Sequence, residues 1–323
     1  MKIEDYRLYS LGHPITDEQR DLFSINIKYL MDKKETKNCL IFYRGENKTE
    51  MFKQYNSSDF TSFGHILFLI GNKGKGFLKI LSTQADKIDK WRVDDISINV
   101  YEKIFNILRS IYSDHDLSSN PDKFVSYFKD EKKLFDFKTK ISKLNKVNKI
   151  KFRDYYLTLI HQSKKDEVFY PVSTMLSVSI DKNVAARYAG KEKEKIILVG
   201  WIPKKRISNK FSIRFDYLNS IEKSNIGIEL PLWNKSFYPE DHEITLKGGI
   251  LPHYLIGYIF EDFDGTETLD INPSLIDSKL NSNHWFENGL PIDQAEFWNV
   301  LKETNHSGGF FVNLNGEYWS KNR

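Results

Sequence analysis

Apolar positions along this chain recur at helical spacing in the first third and turn strand-like from about residue 169 onward. Thr16-Asp17-Glu18-Gln19 has the form of a capping box, and Phe23, Ile27 and Leu30 follow at spacings of four and three, which predicts an amphipathic helix over 17–33. After the polar stretch Lys33 to Asn38, the run Cys39 to Tyr43 is short, apolar and partly aromatic, as in a buried strand, with Arg44-Gly45 at its end. An apolar run, Ile66 to Ile70, leads into Gly71-Asn72-Lys73-Gly74-Lys75-Gly76, which lacks the Gly-Lys-Ser/Thr ending of a P-loop and reads as a turn. Ile104, Leu108, Ile111 and Tyr112 predict a further helix, stopped by the polar segment Ser113 to Asp122 with its Pro121. Between Phe137 and Arg153, Ile141, Leu144, Val147 and Ile150 recur every three residues, which predicts a helix with one buried and one basic face. Strands are then predicted at Phe169–Val178, Lys195–Ile202, Phe211–Phe215, Ile226–Leu230, Glu243–Leu246 and Tyr254–Phe260. Near the end, Asp293 can cap a short helix through Leu301, and Phe310–Leu314, Asn315-Gly316, Glu317–Trp319 reads as a hairpin with a two-residue turn.

With 323 residues, 40% apolar and 14% aromatic, the chain can bury one large core or two smaller ones, and its composition is that of a folded soluble protein, with disorder not the default. The formal charge of +4 on a chain that is 28% charged excludes a polycation, so affinity for nucleic acid requires local clustering. Lys138, Lys140, Lys143, Lys146, Lys149, Lys151 and Arg153 supply one such cluster without an intervening acid. Two readings of it stand: a solvated face, or a surface for phosphates or an acidic partner. Cys39 is the single cysteine, which excludes an internal disulfide framework and a thiolate-rich zinc site and fits a reducing compartment. Asp114-His115-Asp116 looks like half a metal site but has no further ligand at suitable spacing, and no metal is assigned. The charged start, Met1 to Arg7, has no apolar stretch behind it; the expectation is no secretory signal, no membrane partner and a cytoplasmic site of action. A toxin delivered into a target cell's cytoplasm by another machine fits the same pattern.

Three segments carry candidate chemistry, in this order: Phe42-Tyr43-Arg44-Gly45, then Leu176-Ser177-Val178-Ser179 running into Val184-Ala185-Ala186-Arg187-Tyr188-Ala189, then Tyr238-Pro239-Glu240-Asp241-His242-Glu243. Strand alternation turns Ser177 and Ser179 to one side, and Asp181 or Asn183 can cap a helix that Gly190 ends. His242 lies on the opposite face from Glu243 if the segment is a strand, which gives it a structural role.

In that order the segments resemble the arginine, serine and glutamate strands of the R-S-E class of mono-ADP-ribosyltransferases, which move ADP-ribose from NAD onto a protein or a nucleic acid. The resemblance covers about 39–46, 169–190 and 236–258. It implies an α+β, ADP-ribosyltransferase-like fold with two small, roughly perpendicular β-sheets around an NAD cleft, N-terminal helices, and a helical, basic insertion at about 85–155. The enzyme domain would then span 1–260, with 261–323 a C-terminal extension carrying the short helix and the hairpin.

The resemblance implies Glu243, Ser177 and Arg44 as the catalytic set. Arg44, Gly45, Ser177 and Ser179 would bind NAD, which is a substrate here. A guanidinium at a strand end grips a diphosphate through paired charge-assisted hydrogen bonds that a lysine cannot copy. Gly45 leaves room for close backbone approach to the nicotinamide amide. Ser177 would hold the catalytic glutamate, and Glu243 would stabilise the positive charge that develops on the ribose as nicotinamide leaves. Tyr238, Asp241 and Glu240 would recognise the acceptor. Two departures stand out: Val178 replaces the usual threonine and keeps the β-branch, and Asp241 stands where the family usually has glutamate or glutamine. The expected partners are a macromolecular acceptor, RNA or DNA slightly ahead of protein, and, for a toxin or phage-defence effector, an antitoxin or inhibitor protein. Two other readings remain open at this level: a non-enzymatic nucleic-acid-binding protein relying on the basic stretch, and an NAD glycohydrolase with water as acceptor.

Overall fold

Thr16 opens the first helix through a reciprocal cap. Its Oγ1 accepts from Gln19 N–H at 3.2 Å, and Gln19 Oε1 accepts from Thr16 N–H at 2.9 Å. The helix, α1 (Asp17–Glu35), buries the stripe Phe23, Ile27 and Leu30, as its spacing predicts. The structure is a computed structural model and describes residues 2–35, 39–72, 105–106, 109–110, 130–145, 175–191, 194–203, 212–214, 242–247, 250, 252–277, 310–312 and 318–320.

The described strands are β1 (Arg7–Ser10), β2 (His13–Pro14), β3 (Cys39–Asn47), β4 (Met175–Ser179), β5 (Lys195–Pro203), β6 (Ser212–Arg214), β7 (Glu243–Lys247), β8 (Leu255–Glu261), β9 (Glu267–Ile271), β10 (Phe310–Val312) and β11 (Tyr318–Ser320). The first nine form one sheet in the order β2-β1-β9-β8-β5-β3-β4-β7-β6, and β10 pairs with β11 separately. The sheet is mixed, because β1 runs parallel to β9 whereas the other neighbours are antiparallel. The protein is therefore α+β.

Two small separate sheets are not what the hydrogen bonding gives. A six-stranded part ending at β3 meets a three-stranded part beginning at β4 through a single residue pair, Tyr43 with Ser179. On its other side β3 pairs with β5 continuously from Cys39–Pro203 to Asn47–Lys195. The strand predicted to stop at Tyr43 thus runs on to Asn47, because β5 offers a backbone partner to every residue of the polar half.

Three further helices pack near these strands: α2 (Lys48–Tyr55), α3 (Phe60–Ile70) and α5 (Lys182–Tyr188); α4 (Glu131–Lys143) lies within the basic region. Asn47 caps α2 by accepting from Glu50 N–H, and Asp59 caps α3 in a capping box with Ser62. Aromatic rings join α2 and α3 to β8: Phe60 stacks on Phe260 with centroids 4.0 Å apart, and Phe63 meets Tyr258 edge-on at 5.1 Å. All of β8 except Glu261 is buried, as expected for a central strand covered on both faces.

The sheet also continues past the boundary expected near residue 260. Strand β9 lies between β1 and β8, and the turn Pro273–Leu275 behind it presents the Leu275 carbonyl to Asn26 of α1 at 2.7 Å. Residues up to Ile276 belong to the same core. Helix α4 starts and stops earlier than its periodicity predicts, since Leu144 already has extended backbone (φ −68°, ψ 143°) as the C-cap. Ile141 is buried there; the remainder of the basic stretch, 146–153, lies outside the described residues. So do Asp114-His115-Asp116, the predicted strand Ile226–Leu230, the predicted helix from Asp293, the turn of the C-terminal hairpin and most of the region assigned as an insertion.

Candidate functional site

Direct pairing across β4 and β7 sets Ser177 opposite Thr245 and Ser179 opposite Glu243. Paired residues share a face of the ladder and residues two apart share it too, so Ser177, Ser179 and Glu243 lie on one face. Across the diagonal, the Ser177 hydroxyl donates to Glu243 Oε1 at 2.7 Å. Both side chains are partly exposed, so this carboxylate is oriented by a neighbour and still open to solvent.

Arg44 reaches the same residue from β3. Its Nη1 donates to the Ser177 carbonyl at 2.6 Å, and its Nε donates to Glu46 Oε1 at 2.5 Å. Two residues further along the β3–β4 register, Gly45 would lie opposite Ser177, but the ladder ends at Tyr43–Ser179. A guanidinium therefore satisfies a carbonyl that a continuing ladder would have given to a backbone N–H. Arg44 and Glu46 keep 20% and 18% of their side-chain surface exposed, so the pair sits in a partly desolvated place. Nη2 of Arg44 has no hydrogen-bond partner among the described residues.

The other side of Glu46 faces a buried polar group. Asn72, 1% exposed, donates from Nδ2 to the same Glu46 Oε1 at 3.0 Å. Its backbone N–H donates to the Ile250 carbonyl at 2.9 Å, and the Tyr55 hydroxyl donates to the Gly71 carbonyl at 2.7 Å and lies 3.3 Å from Asn72 Oδ1. A continuous line of polar contacts thus runs from the segment after β7, through Asn72 and Glu46, to Arg44 and Ser177. Sequence reasoning misses Glu46 and Asn72. The one local signal is that Glu46 stands two residues from Arg44 on a strand and so shares its face.

Alternation puts Tyr43 and Gly45 on the other face of β3, against α5. A Cβ at Gly45 would lie 1.8 Å from the Ala185 carbonyl oxygen and 2.8 Å from Ala189 N, so glycine is required there by the close approach of helix to strand. That requirement is independent of any ligand. Ser179 is buried, and its Oγ accepts from Asp181 N–H at 3.0 Å, which shapes the turn into α5. Asp181 is the N-cap of α5, accepting from Asn183 N–H at 2.8 Å, and Gly190 follows the C-cap with φ +93°, both as their positions in the sequence predict.

Beside α5, Lys182 Nζ donates to Glu267 Oε2 at 2.6 Å and to the Tyr6 hydroxyl at 3.1 Å. Burial works to lower the Lys182 pKa, but these partners outweigh it and raise the value. Burial next to Tyr6 raises the Tyr43 hydroxyl as well.

His242 does not occupy a strand position. It precedes β7 in the left-handed region, φ +46°, and is exposed, while its carbonyl accepts from Ile180 N–H at 3.5 Å. Tyr238, Glu240 and Asp241, the residues expected to recognise an acceptor, lie outside the described residues. Among the described residues no cluster of three His, Cys, Asp or Glu side chains is placed to hold a metal ion, and no helix is long and apolar enough to cross a membrane. Comparison with protein-family models, with curated proteins and with solved structures yields no match.

Proposed function

We propose that this protein is an NAD-dependent mono-ADP-ribosyltransferase of the R-S-E type, with Arg44, Ser177 and Glu243 as its working set. The observation that carries this reading is the hydrogen bond from Ser177 to Glu243, with Arg44 bound to the same serine's carbonyl. Arg44 and Glu243 both hydrogen-bond Ser177, the first at its main-chain carbonyl and the second at its hydroxyl, close to where β3 and β4 separate.

The donor set fits NAD chemically. Arg44 is anchored through Nε, with Nη1 on the Ser177 carbonyl, and a diphosphate oxygen pair can take Nη2 together with Nη1 once that carbonyl contact is exchanged. Glu243, fixed by Ser177, supplies a carboxylate of defined orientation for a sugar hydroxyl. In the reaction the bond between the ribose anomeric carbon and the nicotinamide nitrogen breaks, and its electron pair leaves with nicotinamide. The acceptor's nucleophile attacks that carbon and loses its proton. Positive charge builds on the ribose only on the way to the transition state, so a prepositioned Glu243 lowers the barrier more than it tightens ground-state binding. The single sheet departs from the two-sheet arrangement that the resemblance implies; what favours the reading is that Arg44 and Ser177 stand beside the one pair that joins its two parts.

The acceptor in this reading is an intracellular macromolecule, with nucleic acid ahead of protein on the strength of the basic stretch 137–153, as suits a toxin or defence effector. The test is nicotinamide release from NAD by purified protein in cell lysate, comparing wild type with Glu243→Ala and Arg44→Ala. Loss of about 10²-fold or more in the Glu243 variant is expected. Wild-type protein that neither binds NAD nor releases nicotinamide sinks the proposal. Release without a labelled macromolecule redirects it to an NAD glycohydrolase.

A further inference from the structure

We infer that Glu46 is a positioning residue for Arg44, holding its guanidinium at the angle from which its outer edge takes the substrate's diphosphate. The inference rests on the NAD-transfer reading and adds to it a residue that no motif identifies.

Two donors converge on one oxygen of this carboxylate: Arg44 Nε at 2.5 Å and Asn72 Nδ2 at 3.0 Å. The second donor is itself fixed. Asn72 is almost fully buried, follows directly on the C-cap of α3, and is tied by its backbone to Ile250. Glu46 is thus braced from the core side, and the brace is passed on to Arg44 through a short charge-assisted bond. An arginine has four rotatable side-chain bonds, and without a partner at Nε its plane turns freely. With Nε committed to Glu46, Nη1 and Nη2 form the edge that remains for a ligand, and that edge has the spacing of two phosphate oxygens. In the structure Nη1 rests on the Ser177 carbonyl. A diphosphate exchanges that contact for a charged one while the Nε bond stays in place.

Glu46 carries a negative charge beside a phosphate-binding cation, which by Coulomb's law alone works against anion binding. Its usefulness must then lie in geometry, and this separates two substitutions. Glu46→Gln keeps an oxygen able to accept from both Arg44 Nε and Asn72 Nδ2 and removes the charge. Glu46→Ala removes the oxygen.

The experiment measures steady-state nicotinamide release against NAD concentration, with direct NAD binding by calorimetry and thermal melting of every protein. Expected results are a rise in KM and Kd for NAD of about tenfold in Glu46→Ala, the scale of one lost charge-assisted hydrogen bond, with kcat within about twofold of wild type. Glu46→Gln is expected to bind NAD at least as tightly as wild type. A kcat loss that tracks a fall in melting temperature, with KM unchanged, overturns the positioning role and makes Glu46 structural. Unchanged KM and Kd in Glu46→Ala overturn it too, as does a Gln variant that is as impaired as the Ala variant. Active wild type with any of these outcomes leaves the transferase reading standing, whereas wild type that neither binds NAD nor releases nicotinamide removes both.

Discussion

Gly45 is required by packing alone, whatever ligand the site takes. The 1.8 Å separation between its hypothetical Cβ and the Ala185 carbonyl oxygen leaves no low-energy place for a methyl group. Backbone lines both sides of the contact, so relief requires α5 to move away from β3. Gly45→Ala is expected to destabilise the fold by about 3 kcal/mol, in the range of overpacked cores, and a urea unfolding series checks it. A change below about 0.5 kcal/mol would contradict the packing described. At this scale the sequence singles out Arg44, Ser177 and Glu243 as candidates because each sits in a recognisable short segment, and the structure links them through Ser177. It hides Glu46 and Asn72 because their meaning is a contact across 26 residues, and an acid after a glycine at a strand end looks like solvent-facing polarity. His242 shows a different limit: its left-handed backbone belongs to the turn into β7, so strand alternation does not reach it.

Among the elements, the β1–β2 hairpin depends on a distant strand. Its two-residue turn has Leu11 at φ 51° and Gly12 at φ 75°, the pair of positive values that a type I′ turn needs, and leucine is a poor occupant of such a position. Compensation comes from β9: Asp270, buried, accepts from Leu11 N–H at 2.9 Å and from Gly12 N–H at 2.7 Å. Tyr258, paired with Asp270 across β8 and β9, donates its hydroxyl to the Phe60 carbonyl at 3.0 Å. Burial pushes the Asp270 carboxyl up from 3.8 to about 6 despite those donors, and burial also pushes Tyr258 well above its ordinary value. The sign follows from proton counting. Between about pH 4 and pH 6 the folded protein keeps a proton that the unfolded chain has released, so stability falls as pH rises through that window. The integrated loss is about 3 kcal/mol, complete above pH 6. Asp270→Asn should abolish this slope, so the stability difference between wild type and variant should change by about that amount from pH 4 to pH 7 in denaturant midpoints. Parallel curves for the two proteins would rule out a raised Asp270. Strand β9 itself is hard to read from sequence for the same reason: Glu267-Thr-Leu-Asp-Ile carries an acid at an inward position, and the groups that satisfy it lie at the other end of the chain.

For the whole molecule, the order β2-β1-β9-β8-β5-β3 shows that the N-terminal strand closes onto the last strand of the main sheet. A chain ending at Glu261 loses β9, and with it the sole sheet neighbour that β1 has besides β2 among the described strands. Such a chain is expected to lose its cooperative unfolding transition, because Leu269, Ile271 and Leu275 leave the core together with the Asp270 anchor. A sharp two-state melt of the shortened protein would show instead that the site-bearing strands fold alone. The α+β class and the positions of β3, β4, β5, β7 and β8 are legible in the sequence, since each is an apolar run between turn residues. That nine strands join one sheet is not, because it depends on pairings such as β1 with β9 that link residues more than 250 positions apart.

The single pair between Tyr43 and Ser179 has a mechanical meaning. Separating β4, β7 and β6 from the rest of the sheet at that seam breaks the backbone contact of one residue pair together with the Arg44 bond, whereas on the far side of β3 nine consecutive pairs resist the same motion. Among the described residues the backbone ladder is thinnest at this seam, and the Arg44 side chain supplements it. In the proposed reading, a diphosphate that draws the guanidinium away from the Ser177 carbonyl loosens this seam, so occupancy and compliance of the candidate site change together.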